Sequence, residues 1–290
     1  MFGKLKMTTA ALGMALALAL AWPARSHAQE NYFVTYTQHM EEPGNMEFAT
    51  KFVGGFPKAG NSFLGNSVEF EYGVKTWWSS EFYLDSQTTA NESSLFTGFR
   101  FENRFRPLLK EHWINPVLYA EFENINSANK SLLEVVGHDG IDDFLGRNDR
   151  HEKKREVEFK LILGSNFKGW NISENFISEK NLANEPWEFG YAVAASRPLS
   201  LAASAKDCTF CRENFTLGAE MYGGLGDRYT FGLHDTSHYL APTMAFYISK
   251  GPTVSLSPGF GLNSNSHGFL LRFGISYEVD NFFSRLRGKK

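Results

Sequence analysis

The stretch VEFEYGVKTWWSSEFYL, residues 68 to 84, sets acids between aromatic and aliphatic residues on both sides of a short Gly-Val-Lys-Thr turn. Successive side chains of an extended strand point to opposite faces. Val68, Phe70, Tyr72, Trp78, Phe82 and Leu84 therefore share one face, and Glu69, Glu71 and Glu81 share the other. In a soluble sheet the aromatic face packs on a second sheet and the acids meet solvent. In a closed membrane barrel the aromatic face meets lipid and the acids meet an enclosed aqueous interior.

The first residues bear on that choice. Lys4 and Lys6 precede an apolar run from Ala10 to Trp22, followed by Ser26-His27-Ala28. This is the pattern of a secretory signal over 1–28, cleaved after Ala28. The run falls short of the roughly 20 residues a spanning helix needs, and no later segment reaches that length without a charge. A chain that crosses a membrane from here must do so as strands. The 27 Phe, 11 Tyr and 6 Trp sit beside a mean hydropathy of −0.31, as in a barrel where only alternate residues face lipid. A formal charge of −3 speaks against a nucleic-acid partner.

Period-two alternation predicts twelve strands, over 45–54, 63–73, 76–86, 93–106, 114–125, 154–166, 168–178, 187–197, 213–223, 238–248, 253–262 and 268–279. Short turns (73–76, 166–169, 249–252) alternate with longer polar loops (85–93, 126–153, 224–237). Outer-membrane barrels show this alternation, with the long loops outside the cell. The long connection 196–214 breaks the rule and is expected either to carry a feature of its own or to hide a strand pair. Residues 29–44 read as a further strand or as an extended segment leading into a barrel over 45–279, and 280–290 as a basic tail.

The last alternation, FLLRFGISYEV (269–279), is similar in organisation to the closing strand of Gram-negative outer-membrane β-barrels, which carries the usual assembly signal. The resemblance is one of architecture. It implies an all-β, up-and-down antiparallel barrel in the outer membrane, with outer-membrane lipid and the barrel-assembly machinery as partners. The chain departs from the pattern by continuing past this strand, with Phe282 and Phe283 displaced from the end.

Parity sorts the charges onto one face: Glu47, Lys51, Glu69, Glu71, Glu81, Arg100, Glu102, Arg104, Glu121, Glu123, Glu156, Glu158, Lys160, Glu188, Glu220 and Arg272. These are eleven acids and five bases, predicted to line the lumen. The C-terminal strands offer small residues to the same face, among them Gly190, Ala192, Ala194, Gly218, Ser255, Ser257, Gly259, Gly261 and Gly274. One wall is expected to be charged and bulky and the other smooth and open. Carboxylate-lined paths favour cations, so the leading expectation is a narrow cation-preferring pore for small solutes. The alternatives are a barrel plugged by its own salt bridges, structural or surface-binding in role, and a secreted soluble β-sandwich.

Other motifs are weaker. Cys208 and Cys211, the only cysteines, are expected to form a local disulfide. His138 with Asp139, Asp142 and Asp143, and His234, Asp235, His238 and His267, are polar loop residues for which no metal or other cofactor is expected. Ser237–His238 and Ser266–His267 are strand neighbours pointing to opposite faces, so no enzyme is expected.

Overall fold

The computed structural model describes residues 32–57, 61–130, 135–138, 151–183, 185–202, 204, 208–249 and 251–288. The leader over 1–28, together with Asp139, Asp142 and Asp143 of the expected loop cluster, lies outside the described residues.

Twelve strands form one closed antiparallel barrel: β1 (Met46–Gly55), β2 (Phe63–Lys75), β3 (Trp78–Thr89), β4 (Ser93–Phe105), β5 (Asn115–Asn126), β6 (Lys153–Phe167), β7 (Trp170–Asn181), β8 (Trp187–Pro198), β9 (Phe215–Asp227), β10 (His238–Tyr247), β11 (Thr253–Gly261) and β12 (Phe269–Val279). Each strand pairs with its sequence neighbours, and β1 closes on β12 from Met46↔Val279 to Gly55↔Leu270. Every boundary lies within four residues of the alternation-based one. The chain enters and leaves the barrel at one end, called here the terminal end; the other is the loop end.

The alternation works because closure leaves no edge to solvate and gives each face one environment. Outward residues such as Phe101, Leu118, Phe159 and Phe176 are 45 to 54 % exposed on a surface otherwise made of the same apolar kind. Inward residues of the same strands, among them Arg100, Glu102, Tyr119 and Glu158, are buried. The apolar belt with a polar interior makes this a transmembrane barrel.

Several turns differ from expectation for local reasons. At 168–169, Lys168 (φ 50°) and Gly169 (φ 82°) close a two-residue hairpin between Phe167 and Trp170, the left-handed pair such turns require. Gly73 is no turn residue: β2 runs on to Lys75, and its N–H donates to Asn45 O (3.1 Å). A Cβ at Gly73 would collide with the Glu42 carbonyl, so glycine permits a close backbone approach there. β8 pairs directly with β9, and no strand lies among the described residues of the long connection 199–214. This connection carries the Cys208–Cys211 disulfide and a 3-10 turn at Arg212–Asn214. Past β12, the tail forms a helical turn, α1 (Phe282–Leu286), whose Phe282 and Phe283 pack edge-on against Phe48 and Tyr72 at the barrel rim.

A lipid-facing position at mid-strand tests the belt. Leu161→Arg is expected to cost about 2 to 4 kcal/mol, read from urea unfolding in lipid vesicles. A cost below about 0.5 kcal/mol, the level of an ordinary surface change, would contradict lipid exposure at Leu161 on β6.

Candidate functional site

Pairing register turns the lumen charges into an ordered structure. Glu278 of β12 lies directly opposite Glu47 of β1, and Glu47 opposite Glu71 of β2. The row continues through Glu81, Glu102, Glu121, Glu158, Glu179 and Glu188, each facing the next across one strand pair. Directly opposed residues share a face, so nine glutamates on nine adjacent strands form one ladder along the inner wall. Strand tilt makes such a row climb the barrel. Glu278, Glu47 and Glu71 stand near the terminal end, while Glu179 and Glu188 stand near the loop end.

Like charges directly opposite each other are unfavourable by roughly 0.2 to 1 kcal/mol per pair. Eight such pairs amount to several kcal/mol, a large share of the ~5 to 15 kcal/mol that holds a domain folded. Arg100, Arg104 and Lys160 stand in the flanking rows, within reach of the ladder. Arg104 lies between Ser79 and Tyr119 in register and bonds Glu71 (2.5 Å), Glu102 (2.9 Å) and Glu81 (3.5 Å). Arg100, in the row on the other side, bonds Asp85 (2.9 Å) and Glu121 (3.1 Å). Lys160 bonds Glu158 (3.0 Å), with its Nζ 4.3 Å from the Tyr36 ring centre and 4.2 Å from that of Tyr119. Lys51 reaches Glu69 at 2.9 Å.

Glu121, Glu123 and Glu158 bring carboxylate oxygens within 4.8 Å of one another. Arg100 and Lys160, bonded to Glu121 and Glu158, supply countercharge to this triad from the chain itself.

The wall expected to be smooth and open is filled. Residues 32–41 form no strand; they enter from the terminal end, reach mid-barrel and return. Tyr32 and Gln38, on the two arms, both bond Asn171 near the start of β7 (3.2 and 3.1 Å). The apex between them lies deeper. The N–H groups of Phe33, Val34 and Thr35 donate to the Glu220 carboxylate (3.3, 3.0 and 3.0 Å). Asn175 accepts from Tyr36 N (2.7 Å) and donates to Tyr36 O (2.9 Å). The Tyr36 hydroxyl donates to Glu102 (3.0 Å), which also accepts from Tyr83.

Val34 packs with Ala192, Tyr222, Tyr239, Ala241 and Leu270, and with Val135 of the loop between β5 and β6. One insert from each end thus meets in a single apolar cluster. The small residues of β8 to β12 make room for this loop; parity showed their size but not what they accommodate.

Thirteen of the sixteen expected lumen residues are buried, and Glu47, Lys51 and Glu188 are half-buried. The ladder draws together Glu47, Glu71, Glu81, Glu102, Glu121, Glu158 and Glu188, while Glu220 sits across the lumen, beside Arg272 (3.8 Å). Outside the expected set are Glu179 and Glu278, which share the inward parity of their strands, and Asp85, which the sequence assigns to the 85–93 loop but which lies inside β3. Asn171, Asn175 and Ser196 also lie outside that set, since uncharged polar residues of this kind carry no distinctive signal in the sequence.

The histidines are not gathered: His138 meets Thr230 (2.8 Å), His234 meets Asp235 (2.6 Å), and His238 meets Tyr191 (3.1 Å) and Thr236 (2.9 Å). Ser237 and Ser266 donate to backbone and amide oxygens, with no imidazole nitrogen as acceptor.

No protein-family model and no curated protein sequence matches the chain. Among solved structures it is similar to an outer membrane channel from Pseudomonas putida F1, at a TM-score of 0.53 and 9 % identity over 82 % of this chain and 97 % of that one. It is also similar to the KdgM porin, at a TM-score of 0.50 and 7 % identity over 80 % of this chain and 98 % of that one. Likeness at such identity is one of fold. With the apolar belt and polar interior, it identifies a Gram-negative outer-membrane β-barrel, and the outer membrane is where such a chain resides.

Arg104 carries three of the ladder's carboxylates, and removing one side of a buried ion pair costs about 3 to 5 kcal/mol. Arg104→Met is expected to fall in that range by urea unfolding in vesicles, with part of the loss recovered when Glu81→Gln is added. A loss below about 1 kcal/mol, the range of an exposed pair, would contradict the network.

Proposed function

We propose that this barrel is a narrow, cation-preferring channel for small solutes, closed in the conformation described. The glutamate ladder is the observation that carries the reading. Stability alone would not select a row of like charges facing each other, since alternating signs would support the same register at lower cost. A climbing row of carboxylates offers successive, nearly equivalent positions to a cation moving along the barrel. Conduction asks for such multi-site, moderate binding. The solved structures of similar fold named as a porin and a channel agree with the reading.

The filled lumen favours a second reading, a permanently plugged barrel with a structural role. Planar-bilayer recording under a potassium chloride gradient separates the two. The channel reading expects openings whose reversal potential favours potassium. Replacing Glu179 and Glu188 by Gln, at the half-buried loop end of the ladder, is expected to lower the potassium-to-chloride permeability ratio by about threefold or more. Absence of conductance under all voltages, or chloride preference, would favour the plugged barrel.

A further inference from the structure

The groups that hold residues 32–41 form a set by themselves. Three of the polar ones address the backbone of the loop: Glu220 takes three consecutive N–H groups, Asn175 takes the N–H and C=O of Tyr36, and Glu71 takes Glu41 N at 3.4 Å. Asn171, Ser196 and Glu102 take the side chains of Tyr32, Gln38 and Tyr36. Three successive N–H groups converging on one carboxylate form an anion-binding nest of the kind main chains present to ligands. Two apolar recesses receive side chains. Val34 enters the one between Ala192, Tyr222 and Ala241, and Met40 the one between Val117, Tyr119 and Ile162. Gly164 leaves space that any Cβ would take from Gln38.

The loop adds no strand to the sheet. β1 closes on β12 along ten consecutive pairs without it, and its links to the rim are local, including Gly44 N to Gly73 O (2.8 Å) and Phe282 N to Gly44 O (2.9 Å). Withdrawal of 32–41 therefore leaves every strand pair intact and exposes a groove lined by groups that read both backbone and side chains.

We infer that the lumen wall around Asn175 and Glu220 is a binding site for a peptide that turns back on itself, and that residues 32–41 are its resident, tethered occupant. The attachment at the rim holds the occupant at millimolar effective concentration, as for any ligand on a short linker, so the site is filled at rest. Because the contacts read both the backbone and the side chains of this segment, a free peptide of the same sequence competes for the groove from the terminal end. The site stands on its own contacts; its consequence, a blocked path, rests on the channel reading.

The test keeps the chain whole through folding. A protease recognition sequence is placed between Glu42 and Pro43, both exposed. The folded protein is cut in detergent and the released segment is washed out. A labelled peptide with the sequence of residues 32–42 is then titrated by fluorescence anisotropy. Saturable binding is expected, weakened by about tenfold or more, the equivalent of ~1.4 kcal/mol, when the peptide is N-methylated at Val34 and Tyr36, which leaves the barrel untouched. Asn175→Ala with Glu220→Gln is expected to weaken the unmodified peptide comparably. Failure of the washed barrel to bind, or equal binding of the N-methylated peptide, overturns the site. In bilayers, conductance should rise on washing and fall when peptide is added at the terminal end. Intact peptide binding with no such rise leaves the site standing and removes the channel reading.

Discussion

Nine glutamates facing one another across eight strand pairs set the terms for everything else inside this barrel. A closed lumen has little bulk water to screen such a row, so countercharge has to come from the chain. Arg100, Arg104 and Lys160 supply it from the flanking rows, and each is almost wholly buried. Their aliphatic stems and the rings of Tyr36, Tyr83 and Tyr119 fill the space between, with Arg100 lying 3.8 Å over Tyr83. The charged wall is bulky because its repulsion has to be neutralised by large side chains. The opposite wall can then be small, and the small wall is what admits the N-terminal loop.

Loop and ladder are joined. Tyr36 stacks edge-on against Tyr119 at 5.0 Å, bonds Glu102 and forms one side of the aromatic box around the Lys160 ammonium. On the other side Glu220 connects the loop apex to Arg272, which also donates to Tyr222 (2.5 Å). A change in the loop is thus felt at ladder carboxylates through Tyr36. This gives the N-terminal segment a physical means of altering the electrostatics of the path as well as its width.

Much of this was legible in the sequence because a barrel converts alternation into position. Period two placed all twelve strands, and the parity of residues 68 to 84 separated Glu69, Glu71 and Glu81 from the lipid-facing aromatics. Register was not legible. That Glu102 faces both Glu81 and Glu121 depends on turn lengths and on a bulge at Asp85/Ser86, and alternation does not report these. Nor was the loop legible, since residues 29–44 read as a strand or an extended segment and nothing local shows that 32–41 turn back inside the lumen. Their partners Asn171, Asn175, Gly164 and Ala192 are polar or small residues of a kind found at many other positions. Gly73 read as a turn because glycine serves both turns and close backbone contacts, and only the neighbouring Glu42 carbonyl tells which.

Amide hydrogen exchange by NMR in lipid nanodiscs tests the central claim, a lumen filled by its own N-terminal segment on a carboxylate anchor, most directly. The account predicts that the amides of Phe33, Val34, Thr35 and Tyr36 exchange far more slowly than in the free peptide, and that Glu220→Gln accelerates the first three while leaving the strand amides slow. Exchange of these four amides at free-peptide rates in the intact protein would contradict it.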